Sequence, residues 1–269
     1  VYEMPTTFFG WVSFLIERYG SLYLKGTANT ILVEITGTII GFGIGLLVAI
    51  VRTIPLRSEF GIVKKLITKA ARALLVIYIE VFRGTPMIVQ SMVIFYGAQQ
   101  YLGLDMPVTT AAILIISINT GAYMAEIIRG GIISVDIGQT EGAHSLGMTH
   151  WQTMSNVVLP QAIRNIMPSI GNEFVINIKD SSVLNVISVF ELFFTAKSAA
   201  GTYYKYFEAF FIAAVIYLML TLTTTRILRY VEKKMDGPEN YTMVPCLHAD
   251  ITVLAKRKPG IHSHKAGGE

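Results

Sequence analysis

Several stretches of about 20 residues carry almost no charge, and they restrict the chain to folds that a lipid bilayer permits. A helix rising 1.5 Å per residue needs about 20 residues to cross roughly 30 Å of hydrocarbon. Only 15% of the 269 residues are charged and 52% are hydrophobic, whereas soluble domains have about 25% charged residues. Because backbone polar groups in hydrocarbon must be satisfied internally, we predict an all-α integral membrane protein.

The positions of these stretches predict five transmembrane helices and three regions of the chain. The predicted spans are residues 24–51, 74–101, 108–128, 166–190 and 207–228. Residues 1–23 would form an extracytoplasmic N-terminal segment, and residues 24–234 the transmembrane domain. Residues 235–269 contain several prolines and glycines with no sustained periodicity, so we expect a poorly ordered cytoplasmic tail.

Basic residues in the short loops predict the orientation, because Lys and Arg concentrate on the cytoplasmic side. The loop around residues 103–107 has no Lys or Arg. In contrast, basic residues follow the first span and the fifth span: Arg52, Arg57, Lys64, Lys65, Lys69 and Arg72, then Arg226, Arg229, Lys233 and Lys234. The N-terminus is therefore predicted outside and the C-terminus inside. We attribute the net charge of +4 to the basic residues of these loops. We therefore expect contact with membrane lipids and no nucleic-acid partner.

The composition also excludes several kinds of metal or disulfide site. Cys246 is the single cysteine, which rules out an internal disulfide framework or a multi-cysteine metal site. His248, His262 and His264 lie in the tail, and their spacing favours a solvated tail over metal binding. We therefore expect no metal ligands and no cofactor in this chain.

Polar residues at membrane depth are costly and mark candidate functional positions. In the second span Arg83 and Gln90 are seven residues apart, which places them on nearly the same helix face. Between them, Gly84, Thr85 and Pro86 should break the helix, because proline lacks an N–H and clashes with the preceding turn. Carbonyl groups freed by such a break are tolerated only where they face protein or a cavity.

The fourth predicted span carries a second polar stripe. Glu173, Asn177 and Asp180 follow i, i+4, i+7 spacing, with Ser181 beside them. A guanidinium can bind a carboxylate with two hydrogen bonds, and a carboxylate can hold an ammonium, so the two stripes suit an amino-acid backbone. The alternative is an internal ion pair, Arg83 with Asp180 or Lys179 with Glu173, that only holds the bundle together.

The polar segment at residues 141–162 separates the third predicted span from the fourth. It begins Glu141, Gly142, Ala143, continues to Gly147 and ends at a Leu-Pro pair that includes Pro160. A short helix ended by the second glycine could lie along the membrane face and dock on a partner protein. The proline would then stop that element and redirect the chain into the next span. An ordinary soluble helix-turn-helix is the alternative.

Gly37, Gly41 and Gly45 are spaced four residues apart in the first span. Small residues at this spacing let two helix backbones approach closely in lipid. This pattern favours helix packing within the subunit over a role in ligand binding.

Four motifs in order give a more specific resemblance: FRGTPMIVQ, NTGAYMAEIIRGGIISVDIGQTEGAHSLGM, VVLPQAIRNIMP and NIKDSSVLNVI. They cover roughly residues 83–192 and resemble the permease subunit of polar amino-acid ABC importers, the histidine/glutamine/arginine/lysine uptake group. The first alanine of the family's Glu-Ala-Ala docking motif is Gly142 here. The N-terminal twenty residues and the tail lie outside the resemblance.

The resemblance implies a bacterial cell-membrane protein that works as a permease dimer, of identical or related chains. Two ATPase subunits would lie below, carrying ATP and Mg²⁺, and an extracytoplasmic amino-acid-binding protein above. It also implies a cytoplasmic coupling helix between the third and fourth spans, with ATPase docking at Glu141, Gly142, Ala143 and Gly147. The implied substrate-binding residues are Arg83, Gln90 and Asp180, with Asn177, Ser181 and Ser182 as neighbours.

Motifs of enzymes are missing from the sequence, which favours a transport subunit. No GxxxxGK[ST] phosphate loop occurs, so ATP hydrolysis by that route needs a partner. No H-E-x-x-H or G-x-S-x-G motif occurs either, which argues against an intramembrane protease or a lipid-modifying enzyme. A secondary amino-acid transporter not coupled to ATP is the alternative, disfavoured by five spans without an inverted repeat.

Overall fold

The computed structural model describes residues 4–53 and 61–235, which form helices and no strand. The predicted tail, with its cysteine and histidines, lies outside the described residues. The helices are α1 (Phe8–Thr53), α2 (Ile62–Gly84), α3 (Met87–Leu102), α4 (Val108–Ile133), α5 (Ile137–Ser145), α6 (His150–Thr153), α7 (Leu159–Asp180), α8 (Leu192–Tyr203) and α9 (Tyr206–Met235). A π-helical turn (Met154–Val158) joins α6 to α7, and a 3-10 segment (Ser181–Ile187) follows α7.

The lengths and apolar character of these helices confirm an all-α membrane protein. Helices α1, α4 and α9 are each long and apolar enough to cross a bilayer. Two further pairs qualify together but are bent: Lys65–Gly84 with α3 by 115°, and His150–Ile187 with α8 by 54°. Counting each bent pair as one span gives the five predicted spans.

The first helix begins before the first predicted span. α1 has 46 residues, about 69 Å at 1.5 Å per residue, and begins sixteen residues before the predicted position 24. The charged residues Glu17, Arg18 and Lys25 are all exposed on this continuous helix. Most of the predicted N-terminal segment is therefore the first part of α1.

The second predicted span is broken as expected, whereas the prediction of the fourth span as one unbroken helix was wrong. The second is divided between α2 and α3, and the division falls at Thr85 and Pro86, which confirms the predicted break. The fourth was predicted to run unbroken from residue 166 to 190. Instead α7 ends at Asp180, the 3-10 segment follows, and Ser188 adopts a left-handed conformation with φ 64° before α8 begins.

The glycine stripe on α1 packs against α4, as predicted. A Cβ atom added to Gly41 would lie 2.8 Å from the Cβ of Thr120, and one added to Gly45 would lie 2.5 Å from the Cβ of Met124. These separations are too short for any side chain, so the α1 and α4 backbones lie in close contact. This contact holds α1 beside α4, the helix that leads to α5.

We expect Gly41→Ala to destabilise the folded protein by about 1–3 kcal/mol, because overpacking a close contact forces backbone shifts. Gly43 on the same helix is the matched control, since no atom lies within 4 Å of its added Cβ. Gly43→Ala should be neutral or stabilise the helix by about 1 kcal/mol. Thermal unfolding of the two purified variants in one detergent measures the difference. Equal melting temperatures would contradict the packing.

Candidate functional site

The break between α2 and α3 lies at the centre of the first polar stripe. α2 ends at Gly84, Thr85 is extended with φ −121° and ψ 146°, and Pro86 begins α3. Proline cannot donate a backbone hydrogen bond, so carbonyl groups at the end of α2 need other partners. The side chains around the break supply them.

Gln90 closes this break from inside the protein. Its side chain is 6% exposed. The Nε2 group donates to the carbonyl oxygens of Phe82 at 2.9 Å and Thr85 at 2.8 Å, and the Oε1 atom accepts from Nδ2 of Asn119 at 2.8 Å. In this conformation its amide is therefore engaged within the chain, and a role in binding substrate stays a prediction. Sequence reasoning missed Asn119, although an asparagine in the middle of an apolar span was a usable signal.

Arg83 lies on the other side of the break and is exposed. Its guanidinium carbon is 5.5 Å from the ring centroid of Tyr123 on α4, within the range of a cation–π contact. This contact orients the side chain against α4. A planar guanidinium held in this way is suited to bind a carboxylate with two hydrogen bonds.

The second polar stripe runs along α7 and changes from buried to exposed. Glu173 and Asn177 are 8% and 5% exposed. Nδ2 of Asn177 donates to Oγ1 of Thr38 at 3.1 Å and to Oγ1 of Thr120 at 3.0 Å, which ties α7 to α1 and α4. Asp180, the last residue of α7, is exposed.

The two serines after α7 stabilise the start of the 3-10 segment. Oγ of Ser181 donates to the carbonyl oxygen of Ile178 at 2.8 Å, and Oγ of Ser182 donates to that of Lys179 at 2.8 Å. Ser181 is buried, whereas Ser182 is partly exposed. They therefore fix the position of Asp180, which lies directly before them.

The internal ion pairs considered as an alternative are not formed between these described side chains. Arg83 and Asp180 make no contact within 4 Å, and neither do Lys179 and Glu173; the ion pairs seen in the described ranges join Glu126 to Arg52 and Arg129. Glu173 lies within electrostatic range of both Asp180 and Arg83. The two charges proposed to bind substrate therefore do not neutralise each other by direct contact.

The chain between α4 and α6 contains the predicted short helix, but this helix begins earlier than expected. α5 begins at Ile137, four residues before Glu141, because the side chain of Asp136 caps it by accepting from the N–H of Gly138 at 2.6 Å. Ala143 is 5% exposed and faces the bundle. Gly142 is exposed, and a Cβ there would meet nothing within 4 Å, so the family's alanine would fit.

Gly147 ends this helix, as predicted. Its φ of +80° is left-handed, a conformation that glycine adopts without steric cost. Its N–H donates to the carbonyl oxygen of His144 at 2.9 Å, and the N–H of Met148 donates to that of Ala143 at 3.1 Å. This pair of bonds is the Schellman motif, and it turns the chain away from the helix axis.

The prediction that Pro160 stops an element was wrong. Thr149 and Gln152 form a capping box, and the helix that they start continues through the π-helical turn into α7. The N–H of Leu159 donates to the carbonyl oxygen of Met154, five residues back. This wider turn accommodates the missing N–H of the proline, so the turn in this segment lies at Gly147 and not at Pro160.

Three large apolar side chains around α5 are exposed. Ile137, Leu146 and Trp151 are 73%, 82% and 76% exposed. They lie outside the predicted spans, and large apolar groups exposed there are candidates for contact with another protein. Sequence reasoning missed them, since their exposure depends on how α5 and α6 pack.

Comparisons with known proteins agree with this arrangement. The family model described as "Binding-protein-dependent transport system inner membrane component" matches residues 60–237. The arginine transport system permease protein ArtQ of Bacillus subtilis (strain 168) is 34% identical over 80% of this chain and 92% of that protein. The glutamine transport system permease protein GlnP of Escherichia coli (strain K12) is 36% identical over 80% of this chain and 93% of that protein.

Two solved structures resemble the helical arrangement. The crystal structure of an amino acid ABC transporter with histidines has a TM-score of 0.74 and 37% identity, covering 86% of this chain and all of that chain. An inward-facing structure of the MetNI methionine ABC transporter has a TM-score of 0.65 and 17% identity, covering 81% of this chain and 98% of that chain. The second comparison bears on the fold alone.

Proposed function

Because the chain belongs to the family of binding-protein-dependent transport system inner membrane components, we propose that it supplies the membrane path while separate subunits hydrolyse ATP and deliver substrate. It is a multi-pass membrane protein and the permease subunit of an ABC importer for a polar or charged amino acid. The single observation that carries this function is the near full-length similarity to amino-acid permeases. The alternative of a secondary transporter finds no support in these comparisons.

The docking part of the proposal assigns ATPase binding to the α5 segment. Glu141, Gly142, Ala143 and Gly147 would form the docking loop, with ATP and Mg²⁺ held by the partner ATPase. The supporting observations are the helix ended by Gly147 and the exposed apolar side chains of Ile137, Leu146 and Trp151. Glu141 is exposed and can meet a basic group of the ATPase.

For substrate binding, we assign the charges of Arg83 and Asp180 to the two ends of an amino acid. Arg83 would hold the carboxylate and Asp180 an ammonium group, while Gln90 would add a neutral hydrogen bond after release from the helix break. Nearby polar side chains would complete the pocket: Asn177, Ser181 and Ser182. The support is that Arg83 and Asp180 are both exposed and form no ion pair with each other in the part of the chain described.

The assembly part of the proposal follows the family. Two permease chains, identical or related, would pair in the bacterial cell membrane above an ATPase dimer and below an extracytoplasmic amino-acid-binding protein. The N-terminus would lie outside and the C-terminus in the cytoplasm. The basic residues between Arg52 and Arg72 support this orientation. The exposed apolar residues Ile62, Val63, Leu66 and Ile67 of α2 would contact lipid.

We expect uptake to depend on all three kinds of subunit. The test uses liposomes that contain the full chain with its ATPase, the binding protein outside and a panel of radiolabelled amino acids. Uptake should require internal ATP and be inhibited by vanadate. Omission of the ATPase is the control. Uptake that persists without ATP and follows an ion gradient would contradict the proposal.

A further inference from the structure

One buried carboxyl group has no place in the docking or substrate-binding arrangement. Glu34 lies on α1 and is 0% exposed. Neither of its carboxyl oxygens has a hydrogen-bond partner among the residues that the structure describes. Buried glutamates are rare and are normally paired or hydrogen-bonded, so an orphaned one in the middle of a helix bundle needs an explanation.

The neighbours of Glu34 on its own helix form no hydrogen bond to its carboxyl group in this arrangement. Thr30 and Thr38 lie one turn to either side and are also buried. Oγ1 of Thr30 accepts from the backbone N–H of Leu192 at 3.3 Å, and Oγ1 of Thr38 accepts from Asn177 at 3.1 Å. The polar face of α1 is thus bonded to the elements around it except at Glu34.

The charged groups that act on Glu34 from the packed elements are both acidic. They are Asp180 at the end of α7 and Glu191 before α8. Glu191 is also buried, but it is fully engaged: it accepts from the N–H groups of Phe193 at 2.7 Å and Phe194 at 2.6 Å, and from the hydroxyl of Tyr217 of α9 at 2.9 Å. Within residues 4–53 and 61–235, Glu34 therefore has two carboxylate neighbours and neither a hydrogen-bond donor nor a cation beside it.

We propose that Glu34 binds a proton, and that the bound proton stabilises one conformation of the transport cycle, the one in which α1, α7 and the turn before α8 are packed together. A carboxylate buried without donors and beside other carboxylates strongly favours its neutral form. Glu34 therefore holds a proton while these elements are packed. When they separate, water reaches the carboxyl group and the proton is released.

A proton explains the observations better than a second cation-binding position for substrate. A guanidinium or ammonium group needs open space beside the carboxylate, and the 0% exposure of Glu34 provides none. Asp180, in contrast, is exposed and can meet a substrate cation directly. ATP hydrolysis still drives transport, and the proton acts as a ligand that stabilises one conformation.

Infrared spectroscopy of the full chain with its ATPase in lipid nanodiscs tests the site without any substrate, so its outcome is independent of the transport proposal. At neutral pH the wild type should show the carbonyl stretching band of a protonated carboxylic acid. Glu34→Gln should lose this band. Glu17→Gln, which changes an exposed glutamate of the same helix, should keep it. Identical spectra for wild type and Glu34→Gln would overturn the proposal.

The pH dependence of ATP hydrolysis gives a second readout. As the pH rises from the titration of Glu34 in the separated arrangement to its titration in the packed arrangement, the ratio of packed to separated molecules should fall by up to about tenfold per pH unit, because one proton is released on separation. ATP hydrolysis by Glu34→Gln should not show this dependence. If that variant failed to assemble, Glu34→Asp should shift the infrared band, and an unshifted band would contradict the assignment. Loss of binding of basic amino acids at every pH in Glu34→Gln, with glutamine binding retained, would identify a substrate contact instead.

Discussion

Replacing Gly147 with tryptophan should uncouple ATP hydrolysis from uptake, while the membrane-spanning helices stay folded. Gly147 has φ +80°, and a non-glycine residue in this region costs roughly 1–2 kcal/mol. The position is exposed, so a large ring would also project into the surface proposed to bind the ATPase. We expect uptake to fall at least tenfold with ATP hydrolysis retained, measured in the same liposomes.

Gly147→Asn is the matched control for this prediction. Asparagine tolerates the left-handed conformation much better than other non-glycine residues, and its side chain is far smaller than an indole. It should preserve the Schellman bonds of Gly147 and Met148 and most of the coupled transport. Coupled uptake at wild-type rate in Gly147→Trp would show that the docking surface lies elsewhere.

The features of the fold that depend on local chemistry could be predicted from the sequence. Pro86 removes a backbone donor wherever it lies in a helix, so the break between α2 and α3 was predictable. The same is true of Gly147, because a left-handed helix end favours glycine. Apolar length alone placed the start of α4 correctly at residue 108.

The features that the sequence did not predict depend on tertiary packing. The first turns of α1 are helical although Glu17 and Arg18 interrupt the apolar stretch, because Trp11 and Leu15 on the other face are buried. The π-helical turn before Pro160 depends on hydrogen bonds that a sequence does not display. Gln90 was assigned from its helix face, but its bond to Asn119 joins residues that are distant in the chain.

If Asp180 binds the substrate, Asp180→Asn should reduce the affinity of the permease for its substrate about tenfold or more. The change keeps the shape of the side chain and removes a charge-assisted hydrogen bond, which contributes about 1.5–3 kcal/mol. Arg83→Gln should cause a similar loss through the substrate carboxylate. Binding by the assembled transporter in detergent, without the extracytoplasmic protein, measures this step separately from delivery.

The double variant Arg83→Gln with Asp180→Asn separates a binding pocket from a structural ion pair. If the two charges only neutralised each other, removing both would restore uptake, because no unpaired charge would remain. Since their side chains form no ion pair and Arg83 lies over the ring of Tyr123, we expect the double variant to assemble normally and remain inactive. Size-exclusion chromatography with the ATPase checks assembly. Restored uptake would refute the pocket, whereas losses in each single variant that persist in the double would support two separate contacts with one substrate.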